Sequence, residues 1–256
     1  MDSQIEKRSA VVLSKVPEVT VYFWITKVLT TGMGETTSDY LVHRLNPVIA
    51  VAIGGAGLVA GLVLQFRARQ YSAWIYWLAV AMVSLAGTIA ADVLHVQFGV
   101  PYSVSTVFFA ITLAVVFATW YASEKTLSIH SIFTVRREIF YWAAILNTFA
   151  LGTAAGDMTA TTWHLGYFSS GVLFAALIAI PARAYWRFRL NAILAFWAAY
   201  VVTRPLGASF ADWLAVPPKR RGLNLGDGPV SFALAILIIG FVGYLAKTRK
   251  DIPGAT

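Results

Sequence analysis

Residues Trp24–Asp39 read WITKVLTTGMGETTSD, an apolar frame holding a lysine, a glutamate, an aspartate and a run of hydroxyls. The frame returns three times: WLAVAMVSLAGTIAAD at Trp77–Asp92, WAAILNTFALGTAAGD at Trp142–Asp157 and WAAYVVTRPLGASFAD at Trp197–Asp212. Each copy keeps Trp, Gly ten residues later and Asp five after that, giving Trp24–Gly34–Asp39, Trp77–Gly87–Asp92, Trp142–Gly152–Asp157 and Trp197–Gly207–Asp212. A carboxylate inside a membrane span costs a few kcal/mol or more and is a functional hypothesis by default. Four at equivalent positions imply a fourfold-duplicated unit.

The 256-residue chain is 58% hydrophobic and 12% charged, with a mean hydropathy of +0.68. Soluble domains carry about 25% charged residues, so this composition is that of an integral membrane protein. The absence of cysteine excludes disulfides, thiolate metal sites and a cysteine nucleophile. The net charge of +8 sits in short clusters between apolar runs, where orientation signals belong, and argues against nucleic acid as a partner. The polar stretch Met1–Glu18 has no continuous apolar core, so no cleavable signal peptide is expected.

Eight apolar segments, at about 19–42, 47–66, 72–94, 101–122, 138–160, 165–184, 190–214 and 228–246, approach the roughly 20 residues of a transmembrane helix. They predict an all-α polytopic protein: a single membrane domain of eight helices, as four two-helix hairpins with repeats near 17–67, 70–123, 136–185 and 190–247. Lys and Arg crowd the termini and inter-hairpin loops (Lys7, Arg8, Lys15, Arg67, Arg69, Lys125, Arg136, Arg137, Arg183, Arg187, Arg189, Lys247, Arg249, Lys250). Only Arg44, Lys219, Arg220 and Arg221 lie in the loops within hairpins. This excess puts both termini in the cytoplasm and makes the repeats parallel, about a pseudo-symmetry axis along the membrane normal. The signature tryptophans then fall near the cytoplasmic interface as anchors. Fifteen residues of helix rise about 22 Å, which carries each Asp into the outer half of the membrane.

On a helix, positions 0, 7, 11 and 15 after each Trp share a stripe. It reads Trp24, Thr31, Glu35, Asp39; Trp77, Ser84, Thr88, Asp92; Trp142, Phe149, Thr153, Asp157; and Trp197, Arg204, Ala208, Asp212. Such a stripe should face the bundle interior or a water-filled cavity. The glycines Gly34, Gly87, Gly152 and Gly207 lie off it and suit close approach of a neighbouring helix.

The expected ion-binding set is Glu35, Asp39, Asp92, Asp157 and Asp212 with Thr31, Thr88 and Thr153. Arg204, beside Pro205, is a tethered cation that modulates it. His43 and His95 follow Asp39 and Asp92 by four and three residues, so Asp39, His43, Asp92 and His95 form a candidate metal set. Carboxylate, imidazole and hydroxyl without thiolate suit Mn²⁺, Mg²⁺ or Zn²⁺ rather than Cu(I). Lys27 is placed near the inner interface, where it can snorkel.

The segment Lys15-Val16-Pro17-Glu18-Val19-Thr20, the run Gly34-Glu35-Thr36-Thr37-Ser38-Asp39 and the later Trp-x₉-Gly-x₄-Asp copies resemble a family of bacterial membrane proteins built from four tandem two-span repeats of unknown function. The resemblance runs from about Lys15 to Lys247, with Ala208 departing from Glu35 in the fourth repeat. It implies this architecture in a bacterial inner membrane, and some relatives are linked to metal or aluminium tolerance.

The expectation is an inner-membrane transporter of a small cation, a divalent metal ion foremost, by efflux or proton-coupled exchange. No catalytic residues and no resident cofactor are assigned. The partners are the lipid bilayer and a small cation, with homo-oligomerisation left open. One alternative is a metal-dependent intramembrane enzyme acting on lipid, recruiting Glu35, His43 and His95. Another is a scaffold or sensor component in which the repeats only pack.

Overall fold

The computed structural model describes residues 14–252, so Lys7 and Arg8 lie outside the described residues. Eight long helices and no strand occur among the described residues: α1 (Val21–Arg44), α2 (Pro47–Arg67), α3 (Ala73–Asp92), α4 (Tyr102–Glu124), α5 (Val135–Asp157), α6 (Tyr167–Phe188), α7 (Ala192–Ala215) and α8 (Asp227–Thr248). Helix starts follow the local chemistry. Thr20, Asn46, Thr134 and Asn191 each accept a backbone N–H of the turn they open, and Pro47 occupies the first position of α2. One π-turn extends α3 over Val93–Gln97 and another extends α5 over Met158–Thr162.

Seven of the eight helices are long and apolar enough to cross a membrane; α1, with its charged residues, is the exception. Even-numbered helices present apolar side chains outward, among them Val48, Ile49 and Ile53 of α2, Val107, Phe108 and Ile111 of α4, and Phe232, Ile236 and Ile239 of α8. Water would penalise so large an apolar surface, whereas hydrocarbon does not. The fold is that of a multi-pass membrane protein.

The odd helices pack on one another in the order α1, α3, α5, α7 and back to α1, enclosing the polar stripe. Each even helix packs mainly on the odd helix of the next repeat: α2 on α3, α4 on α5, α6 on α7 and α8 on α1. The two helices of one repeat scarcely touch, so the hairpins read from sequence are connections rather than packing units.

Each signature glycine sits where a neighbour intrudes. A Cβ on Gly34 would meet Ser84, one on Gly87 would lie 2.6 Å from the Phe149 Cβ, one on Gly152 would lie 2.6 Å from the Arg204 Cβ, and one on Gly207 would collide with the Thr31 hydroxyl. In every case the intruder is the residue seven positions after the Trp of the following repeat. At Gly207 the added carbon would also lie 2.8 Å from the Val28 carbonyl, which is backbone and cannot swing away. Gly207→Ala is therefore expected to destabilise by about 1–3 kcal/mol. Gly55→Ala, with nothing within 4 Å, should be neutral or slightly stabilising. Melting of the two variants side by side checks this; equal effects would remove the packing role.

Three of the four signature tryptophans are not on the outer surface, where an interface anchor would stand. Trp77, Trp142 and Trp197 are buried, and Trp24 is half-buried. The aromatic residue before each Trp reaches the next repeat's indole: Phe23 to Trp77 at 5.6 Å, Tyr76 to Trp142 at 5.8 Å, Tyr141 to Trp197 at 6.2 Å and Phe196 to Trp24 at 5.8 Å between ring centroids. Large rings that fill a shared layer gain more from contact with one another than from a headgroup region. This layer lies towards the end where the described residues begin and end. There Glu18 N–H donates to the Asp251 carbonyl at 2.9 Å, and Lys15 pairs at 2.7 Å with the buried Glu138.

Candidate functional site

Arg204 is fully buried at the centre of the odd-helix ring, and its side chain organises the site. Its Nη2, with two hydrogens to share, faces three acceptors: the Glu35 Oε2 at 2.5 Å, the Thr153 hydroxyl at 2.7 Å and the Thr88 hydroxyl. Nη1 donates to the Thr31 carbonyl at 2.9 Å. All four odd helices thus meet at one guanidinium. The Phe149 ring lies beneath it, 5.3 Å from the guanidinium carbon. The Thr153 and Thr88 hydroxyls also reach the Glu35 Oε2, at 3.2 and 3.4 Å. The threonine hydroxyls thus brace the Glu35 Oε2, while the Arg204 Nε is buried with no hydrogen-bond partner, so part of the desolvation cost of this buried ion pair stays uncompensated. Thr31 serves through its carbonyl; its hydroxyl turns back to Val28.

Beyond this pair, away from the termini, the carboxylates gather. Oxygens of Glu35, Asp157 and Asp212 lie within 4.8 Å of one another. Ser38 donates to Asp92 at 3.0 Å, and Asp39 stands within direct electrostatic range of Asp92, Glu35 and Asp157. Asp39, Asp92 and Asp157 are half-buried, whereas Asp212 is only 4% exposed. The Asp212 Oδ1 is buried with no hydrogen-bond partner. Within the three-carboxylate group Arg204 offsets one charge, already committed to Glu35. Two carboxyls remain, those of Asp157 and Asp212, and one of the Asp212 oxygens is the unpartnered one; together they are a donor set for a hard cation or shared protons.

Lys27 does not snorkel. It is fully buried one turn before Thr31, with its ammonium nitrogen 4.4 Å from the Phe149 centroid and 4.2 Å from that of Tyr200. No hydrogen-bond acceptor reaches it. The sequence held a signal for this: Lys27 lies about 60° from Trp24 around the helix, at the edge of the inward stripe.

The set Asp39, His43, Asp92 and His95 is not assembled. His43 is exposed and approaches Asp227 at 3.9 Å. His95 stacks on Tyr102 at 3.7 Å, with its Nδ1 2.9 Å from the Val100 carbonyl. The reason is local: His95 lies in the π-turn, whose wider i→i+5 winding ends the i,i+3 alignment with Asp92.

Helices that line a buried acidic centre and present apolar side chains outward define a polytopic membrane protein with an internal polar site. Comparison with known families goes one step further. The description "Repeat of Unknown Function (DUF347)" matches four times, over residues 22–71, 75–126, 140–191 and 195–251, and the chain belongs to this family. Neither the curated proteins nor the solved structures gave a match.

Proposed function

We propose that this protein is a bacterial inner-membrane transporter of a small cation, with a divalent metal ion as the leading substrate and protons as the exchanged species. The observation that carries the reading is the Asp212 Oδ1, buried and unpartnered among the Glu35, Asp157 and Asp212 carboxyls. Leaving such an oxygen without a partner costs about 1–3 kcal/mol or more, and a cation or a proton removes that cost. Asp157, half-buried, offers the approach, and Arg204 on Glu35 forms the floor. Below it lie the buried Lys27 and the aromatic layer, so access to the carboxyls is through the half-buried Asp157 side.

In this reading all eight helices cross the membrane, with α1 carried by turning Lys27 and Glu35 inward. The four repeats surround a pseudo-fourfold axis, supported by the recurring contacts of the glycines and of the aromatic pairs. Both termini face the cytoplasm, as the Lys and Arg excess at that end favours. A reporter fused after Lys250 should be cytoplasmic; a periplasmic signal would reverse the orientation.

The site is tested by melting the purified protein in Mg²⁺, Mn²⁺ and Zn²⁺. A ligand that binds only the native state raises stability with its concentration, so at least one ion should raise the Tm of wild type. Asp157→Asn and Asp212→Asn should fold and lose this response. Lower pH should weaken it in wild type, because a protonated carboxyl is not a full ligand. No response to any ion, or an undiminished response in both variants, would refute the site.

A further inference from the structure

At the end of the molecule remote from the termini, the loop after α7 carries three consecutive cations, Lys219-Arg220-Arg221, where orientation signals are otherwise sparse. They line a pocket of about 230 Å³ with His164, Tyr167, Gly166 and the π-turn residues Ala160 and Thr161. None of its lining residues is acidic, and none of the three cations is in an ion pair among the described residues.

The loop is held rigidly. Leu223 N–H donates to the Trp213 carbonyl at 2.8 Å, Asn224 to Val216 at 2.9 Å, Leu225 to Leu214 at 3.0 Å and Gly226 to Ala215 at 3.0 Å. Any side chain at Gly222 would collide with the Val216 carbonyl. Arg220 is fixed over the Tyr167 ring, its Nη2 donating to the phenol oxygen at 2.5 Å. Arg221 Nη1 reaches the His164 carbonyl at 3.4 Å. Two of the three like charges are fixed around one concavity whose lining holds no carboxylate, and an anion shared among the three would relieve their mutual repulsion.

We propose that the pocket of His164, Lys219, Arg220 and Arg221 binds a phosphate group, carried by a lipid headgroup or free in solution. Two guanidinium forks and an ammonium match the several acceptor oxygens of a phosphate better than a single carboxylate. The volume lies below the roughly 300–1,000 Å³ of pockets that enclose drug-sized ligands, so it takes the phosphate and leaves the rest of the molecule outside. This site stands whether or not the acidic centre carries cations. Arg220 lies within electrostatic range of Asp212 and Asp39, so an anion beside it would reduce the positive potential facing an arriving cation.

The test uses the full chain in neutral detergent, melted against inorganic phosphate at constant ionic strength and against short-chain phosphatidylglycerol, with diacylglycerol of the same chains as control. At tenfold excess over Kd, phosphate or phosphatidylglycerol should raise Tm by about 4 °C, with diacylglycerol inert. A rise with both probes assigns recognition to the phosphate alone; a rise only with the lipid assigns a headgroup site. Lys219→Gln and Arg221→Gln, both at exposed positions, should each weaken the response, and Arg220→Gln/Arg221→Gln should abolish it. If neither probe raises Tm in wild type, or if Lys219→Gln and Arg221→Gln respond as wild type does, the proposal is overturned.

Discussion

Arg204→Met should be the most damaging single change in the membrane core. The substitution keeps an apolar chain of similar reach but strands Glu35, 3% exposed, without its counter-charge. Removing one member of a buried pair costs about 3–5 kcal/mol, against about 0–1 kcal/mol for a surface pair. For a chain of this size that lowers Tm by about 6–20 °C. Most of the cost is the uncompensated carboxylate rather than the lost attraction, so adding Glu35→Gln should recover a large part of it. The double variant should therefore be more stable than Arg204→Met alone, with a coupling of about 2 kcal/mol or more. The four melting temperatures of this cycle decide the matter: additive losses would mean that Arg204 and Glu35 do not act as a pair. Glu35→Gln alone should also destabilise, since it leaves the guanidinium in turn.

The sequence made much of this centre legible, because helical periodicity alone put Thr31, Glu35, Thr88, Thr153, Arg204 and the four aspartates on inward stripes. In the structure Thr31, Glu35, Thr88, Thr153 and Arg204 meet around one guanidinium, and Asp157 and Asp212 join Glu35 one layer beyond. Periodicity reports which face of a helix is polar. It carries no information on which helices adjoin, so the packing of each even helix on the next repeat was not readable, and sequence neighbours were paired as hairpins.

Other misses have local causes. Residue preference alone suggests an interface for Trp77 and Trp142; the preceding aromatic of another repeat supplies a better partner. Lying three residues after Trp24, Lys27 is close enough in sequence to the inner interface to suggest snorkelling, whereas two aromatic faces flank its buried ammonium. His95 was aligned with Asp92 on an ideal helix, and the π-turn after Asp92 ends that geometry. The basic loop at Lys219–Arg221 was visible only as an exception to charge asymmetry. Its pocket needs the loop after α5, 57 residues away at His164, which no local pattern predicts.

The central claim is that the carboxyls around Asp212 carry a cation across the membrane. The most direct measurement is flux of Mg²⁺, Mn²⁺ and Zn²⁺ into proteoliposomes containing wild type or Asp212→Asn at matched, folded density. Asparagine keeps the shape and hydrogen-bonding capacity of aspartate while removing its charge, and a contact to a charged group is worth about 1.5–3 kcal/mol. Wild type should move at least one of these ions above empty liposomes, and Asp212→Asn should move it at least about tenfold more slowly. Flux at the level of empty liposomes for every ion, or equal flux through wild type and Asp212→Asn, would contradict the account.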